Sequence, residues 1–219
     1  MKFDKPFGRV HAYFDMHIVD HGLVREVYNN LYGLPGAMYR SSQPSPSQLA
    51  RYQKKFGLRS VINLRGTHDY GSFFLEEEAC QRLGLSLYHT KLYSRTAPSI
   101  EEIHTMETLF KTIQYPALLH CKSGADRAGL GAALYQVIIC NAPAKVAMRE
   151  LHWKYGHFKN AKTGILDYFF EVFDAWKKNN PEGEFMTWVD TIYNEDQLNM
   201  NFKAGKLASW VVDDILHRE

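Results

Sequence analysis

This sequence predicts an α/β fold: a central, mainly parallel sheet of about four to five strands flanked by helices, with a helical C-terminal layer. Three observations predict it. From residue 36 to 125, short apolar runs alternate with helix-length amphipathic stretches. The run PALLHC has the continuous apolar character of a strand buried on both faces, and beyond residue 125 the chain is nearly all helical. Strand–helix alternation at this spacing implies right-handed crossovers. The 219 residues, 45% hydrophobic and 23% charged, suffice for one sizeable core and exclude a disordered chain.

The elements follow in order. Residues 1–35 carry no clear pattern and are expected to pack on the core as an N-terminal segment. They precede a single domain over 36–219 whose C-terminal helices start near residue 160. GAMYRS reads as the first strand. In SPSQLARYQKKF, Ser45 and Gln48 have capping-box spacing around Pro46, so a helix starts there with Leu49, Tyr52 and Phe56 on one face. LRSVINLR is the next strand, FFLEEEACQRLG a helix ending at Gly84, and LSLYHTKL a third strand. Ser99 and Glu102 form a second capping box ahead of a helix facing Ile103, Met106, Phe110 and Ile113 inward. GLGAALYQVIIC is apolar on every side and belongs in the core. ILDYFFEVFDAW aligns Ile165, Phe169, Phe173 and Trp176, and FMTWVDTIY aligns Phe185, Trp188, Val189 and Ile192.

Charge and cysteines narrow the function classes. Lys+Arg number 26 and Asp+Glu 24, a net +2, so no general nucleic-acid footprint is present. Cys80, Cys121 and Cys140 cannot all pair and form no CxxC, which points to a reducing compartment; Cys80 as a redox partner of Cys121 is a minor alternative. The first twenty residues hold no apolar run long enough for a signal peptide or membrane span, so a cytoplasmic protein is expected. His11, His17 and His21 follow no metal-ligand spacing, and these, like His152 and His157, read as solvated or core histidines.

The chemistry concentrates in LHCKSGADRAGL at 119–130, where a buried strand ends and a loop leads directly into the apolar helix. Backbone amides of a tight loop at a helix N-terminus, with the helix dipole behind them, make an anion cradle. Gly124 permits the backbone approach such a cradle needs. Arg127 offers a planar fork for two phosphoryl oxygens, and Cys121 would sit beneath the phosphorus as a nucleophile. By composition, chance placement of His-Cys-x-x-Gly-x-x-Arg is about 1 in 2,000.

HCKSGADRAG resembles the His-Cys-x5-Arg signature of the protein tyrosine phosphatase superfamily, and looks most like its compact dual-specificity branch and bacterial relatives. YRSSQP and VINLR precede it in the expected order, so the resemblance covers residues 36–155. It implies a dual-specificity-phosphatase-like catalytic domain hydrolysing phosphomonoesters through a phosphocysteine. On it, Cys121 is the nucleophile and Arg127 the phosphate clamp. Lys122, Ser123, Gly124, Ala125 and Asp126 supply loop amides, and His120 sets the loop. No metal or organic cofactor is implied.

The sequence departs from the pattern twice. The stretch YHTKLYSRTAPS has no carboxylate where relatives with a mobile acid loop carry an aspartate. Asp126 then becomes the candidate general acid, a place where phosphoinositide phosphatases of the myotubularin and Sac types also hold an Asp. Its bland alternative is a cap on the following helix, and Asp69 is the runner-up. Ala128 replaces a common Ser or Thr whose hydroxyl helps the cysteine leave; Ser123 is a partial substitute.

Ligands of open α/β sheets bind beyond the carboxyl ends of the strands. The expected strands end at Arg40, Arg65, Lys91 with Arg95 nearby, and Lys122 with Arg127, so cations gather at one edge, although Arg40 and Arg65 have loop acids as alternative partners. The expected substrate is a phosphorylated protein, with a phosphoinositide or other phospholipid as the rival. An inactive phosphate-binding module is the alternative of another class. Rhodanese-like sulfur transfer fits less well. If exposed, the aromatic stripes would give peripheral membrane contact or a dimer.

Overall fold

The computed structural model describes residues 8–16, 28–67 and 71–216. Five strands, β1 (Tyr32–Leu34), β2 (Met38–Ser42), β3 (Ser60–Asn63), β4 (Ser86–His89) and β5 (Ala117–Cys121), form one sheet in the order β1-β2-β5-β3-β4. The pairs β2–β5, β5–β3 and β3–β4 are parallel; only β1 runs antiparallel, along β2 at the edge. The strand β1 lies in the stretch for which the sequence offered no pattern.

Around the sheet lie α1 (Gly8–Phe14), α2 (Pro46–Phe56), α3 (Gly71–Leu83), α4 (Ile100–Thr112), α5 (Asp126–Ile138), the single turn α6 (Ala144–Ala147), α7 (Ile165–Asn179), α8 (Phe185–Thr191) and α9 (Glu195–Leu216). Both expected capping boxes form: Ser45 Oγ accepts from the Gln48 amide and Ser99 Oγ from the Glu102 amide, with the return bonds from each cap amide also made. Each satisfies amides a helix start would otherwise leave unpaired.

Strand alternation sends side chains to two apolar layers. Val61 and Leu118 pack on Leu49 and Tyr52 of α2 and on Ala79 and Cys80 of α3. Their neighbours Ile62 and Leu119 meet Met106 and Phe110 of α4 and Leu130 and Leu134 of α5 on the opposite face. Each such side chain contributes about 1.5–3 kcal/mol by burial. The helix α5 is buried continuously from Ala128 to Val137, as its apolar periphery predicts. Gly129 lets it press on the turn at 150: a Cβ there would lie 2.9 Å from Glu150 O.

The C-terminal layer is an aromatic cluster. Phe169 lies 5.5 Å from Trp188 and 5.1 Å from Tyr193, and Phe173 lies 4.9 Å from Phe185. Ile192 departs from expectation, because α8 ends at Thr191 and the i+7 position leaves the stripe, exposing it by 57%. Tyr193 Oη donates to Pro98 O at 2.6 Å, and the Ala97 amide donates to Asn199 Oδ1, fastening the loop after β4 to this layer.

Candidate active site

The register of the sheet builds the site. Cys121 ends β5, paired with Ser42 of β2, and His120 lies between Ser41 of β2 and Asn63 of β3. The loop 122–125 then turns into α5. Gly124 has φ +75°, and a Cβ would lie 2.6 Å from Ser42 N and 2.8 Å from Ser41 C, so both dihedral and space require glycine here. The Gly124 amide turns back and donates to Cys121 Sγ at 3.3 Å. Ala125 caps α5 without any side-chain hydrogen bond, which leaves the first helical amides available to a ligand. Arg127 is half-buried and has no partner among the described residues. Thiol, loop amides and an uncommitted guanidinium thus meet at one loop, an arrangement that can hold a tetrahedral oxyanion over a nucleophile.

His120 is fully buried and turned to the sheet face opposite Cys121, as alternation along β5 demands. Its Nε2 lies 2.6 Å from Glu76 Oε1 of α3, off the line of a hydrogen bond, while Glu76 Oε2 accepts from Asn63 Nδ2 at 2.7 Å. Its Nδ1 lies 3.3 Å from Cys121 O, so it braces the end of β5 from behind. Lys122, Ser123 and Ala125 stand in the loop as expected, Ser123 Oγ accepting from the Ala125 amide at 3.4 Å.

The predicted ring of cations comes apart. Arg40 is fully buried: Nη1 donates to Glu150 Oε2 at 2.8 Å and to Glu150 O, Nη2 to Gly124 O at 2.6 Å and to Ala125 O at 3.2 Å. It therefore braces the loop from inside by the internal pairing that was the alternative for it. Arg65 is buried against Gln43, to whose Oε1 it donates. Lys91 is exposed over the Tyr93 ring. Arg95 faces a separate groove of about 910 Å³, shared with Lys162 and Lys203, that no residue of the 121–127 loop lines.

Asp126 does not cap α5. Its Oδ1 lies 2.7 Å from His157 Nδ1, and His157 Nε2 lies 2.7 Å from Asp167 Oδ2 of α7. Burial works against charge on His157, but the two carboxylates outweigh it and push the imidazole up to about 9. Of the two expectations for His157, solvated or core, the structure gives the buried one, and the ring links the start of α5 to the C-terminal layer. The runner-up, Asp69, lies outside the described residues, as do His17 and His21; His11 is exposed. Among the described residues no three His, Cys, Asp or Glu side chains gather as a metal set, and no helix is long and apolar enough to cross a membrane.

Several supporting residues carry little or no signal in the sequence. Asn30, at φ +51°, donates from Nδ2 to Ser123 O and to Tyr155 O; its signal was the Asn-Asn pair before β1. Glu76 shares a helix face with Ser72, Leu75, Ala79 and Cys80, so an acid on an apolar stripe was there to be seen. Asp167 looked like an ordinary acidic residue in a first helical turn, and Glu150 gave no signal. Cys80 packs between helix and sheet, where burial and then Glu76 raise its thiol far above the usual range, so it is no thiolate partner for Cys121.

Comparisons with known proteins give both sequence and fold relatives. The chain is 24% identical over 127 residues to the dual specificity protein phosphatase TpbA of Pseudomonas aeruginosa (strain UCBPP-PA14), covering 56% of this chain and 53% of that protein. It spans about half the length of the curated relatives it matches. The crystal structure of P. aeruginosa TpbA superposes with a TM-score of 0.52 at 17% identity, covering 79% of this chain and 90% of that one. The core catalytic domain of the PP-IP phosphatase SIW14 from S. cerevisiae gives 0.52 at 17% identity, covering 71% and 95%. These likenesses show a shared fold. The profile of the tyrosine phosphatase family matches residues 34–150, from the antiparallel edge strand through the cradle to the glutamate that anchors Arg40, and the chain belongs to that family.

Proposed function

We propose that this chain is a cysteine-dependent phosphomonoester hydrolase of the tyrosine and dual-specificity type, working through a phosphocysteine intermediate. The observation that carries the reading is Cys121 Sγ under the Gly124 amide at the uncapped start of α5, with the half-buried Arg127 lacking any partner among the described residues. In the first step Sγ attacks phosphorus, the loop amides and Arg127 take up charge on the equatorial oxygens, and the ester oxygen leaves with a proton. In the second step water attacks the phosphocysteine and returns the thiolate. Asp126 is the carboxylate of the loop that exchanges protons with these steps.

A phosphorylated protein, with an aryl ester, is the favoured substrate class. A multiply phosphorylated headgroup would draw on Lys122, Asp126 and cations at the strand ends, but of those cations Arg40 pairs with Glu150, Arg65 donates to Gln43 and Arg95 lines a separate groove. TpbA itself has been crystallised with phosphotyrosine. A cytoplasmic setting suits three free thiols.

The test is hydrolysis of an aryl phosphate by wild type and Cys121→Ser, followed by phosphopeptide and phospholipid panels. Cys121→Ser should lower turnover at least about a thousandfold while phosphate still binds. Retained activity in that variant overturns the nucleophile. An inert wild type that still binds phosphate would indicate a binding module.

A further inference from the structure

The chain Asp126–His157–Asp167 links two layers and makes no side-chain cap of either helix. His157 is 1% exposed, both ring nitrogens face carboxylate oxygens at 2.7 Å, and its two partners come from different layers, the first residue of α5 and the first turn of α7. Those partners differ in one respect. The Asp167 side chain is 5% exposed, whereas that of Asp126 is 28% exposed and its Oδ2 has no partner among the described residues. One end of the chain is thus anchored, and the other presents a single carboxylate oxygen from the same loop as Cys121.

Resting on the reading of this loop as a phosphatase site, we propose that His157 is a positioning residue of the second half-reaction: held from behind by Asp167, it pins Asp126 through Oδ1 and keeps Oδ2 open as the acceptor of the proton from the attacking water. The bonds balance. The water oxygen bonds to phosphorus, the P–Sγ bond breaks, the electron pair returns to Sγ as thiolate, and the water proton passes to Asp126 Oδ2, from whose partly exposed edge it leaves to solvent.

Two observations favour such help at that step. Among the described residues the only donor to the departing sulfur is the Gly124 amide. Position 128, one residue beyond Arg127, is alanine and has no hydroxyl to give. With both ring nitrogens donating, His157 holds the Asp126 carboxyl in one orientation, which a solvated side chain would not keep. The charged groups facing the imidazole are Asp126 and Asp167; the nearby Lys159 is turned to Glu171.

The experiment is rapid mixing of excess para-nitrophenyl phosphate with wild type and His157→Gln at pH 6.5. Where the second step is impaired, the variant releases about one equivalent of nitrophenol in a burst. It then turns over about tenfold or more slowly, with kcat/KM within about twofold of wild type, because nitrophenolate departs without needing a proton from Asp126 in the first step. Parallel loss of kcat and kcat/KM without a burst would show that His157 merely supports the loop, and unchanged kinetics would show packing alone. Either result overturns the proposal. Should His157→Gln fail to fold, Asp167→Asn keeps the ring and removes its rear anchor; the alkaline limb of kcat should then move to lower pH, and a limb that stays in place overturns the idea. An inert wild type removes the phosphatase reading and this proposal together, whereas normal turnover without these signatures removes only the proposal.

Discussion

His120 and His157 are both buried, both lie against carboxylates, and both hold the same loop from different sides. Their surroundings differ in number and alignment. His120 meets a single carboxylate, off line, and that Glu76 is already shared with Asn63. His157 meets two, each aligned with a ring nitrogen. Burial by itself opposes a charged imidazole, and two aligned carboxylates reverse the balance. The first histidine is part of the sheet's internal furniture; the second joins the loop to the C-terminal layer. Between them runs Arg40, which ties the loop carbonyls to Glu150.

Three measurements separate these supports. The largest effect belongs to Arg40→Ala, which leaves Glu150 buried without its cation. Chemical denaturation should show a loss of about 3–5 kcal/mol, and a loss below about 1 kcal/mol would mean that the two sides hold the loop without it. Next comes the pH dependence of stability. His157 sits at about 9 in the fold against an ordinary 6.5, so its contribution is complete below pH 6.5 and is lost as pH rises through 9. The change is about 3 kcal/mol, measured by denaturant titration at pH 6 and pH 9.5. His157→Gln should flatten that slope, and a slope surviving in the variant would assign it elsewhere. The smallest effect is expected at Glu76→Gln, where the amide oxygen still accepts from Asn63. About 1 kcal/mol is the expected loss, and one as large as that of Arg40→Ala would make the His120 side the stronger support.

Much of the frame was legible because its signals are local. Ser45 with Gln48 and Ser99 with Glu102 act within one helical turn, and both boxes form. The apolar run at 117–121 and the all-round apolar helix after it could only be buried, and they bring Cys121 to the mouth of α5. The cations at the strand ends were legible as residues but not as a site. Arg40 and Arg65 have side chains long enough to turn inward, and nothing within a few residues of either shows that Glu150 or Gln43 waits there. The strand β1 was missed for a related reason: three residues paired to a neighbour leave no periodicity to read.

The chemistry of the loop is written in its own residues: cysteine, glycine and arginine at spacings set by the backbone, between a strand and a helix whose burial their composition dictates. Tertiary structure alone decided what stands behind that loop. Arg40 meets a glutamate 110 residues away, Asn30 reaches Ser123 across 93, and His157 joins Asp126 to Asp167 across two layers. Such contacts depend on how helices pack on a sheet, where a polar group finds a partner through space and its sequence neighbours carry no record of it.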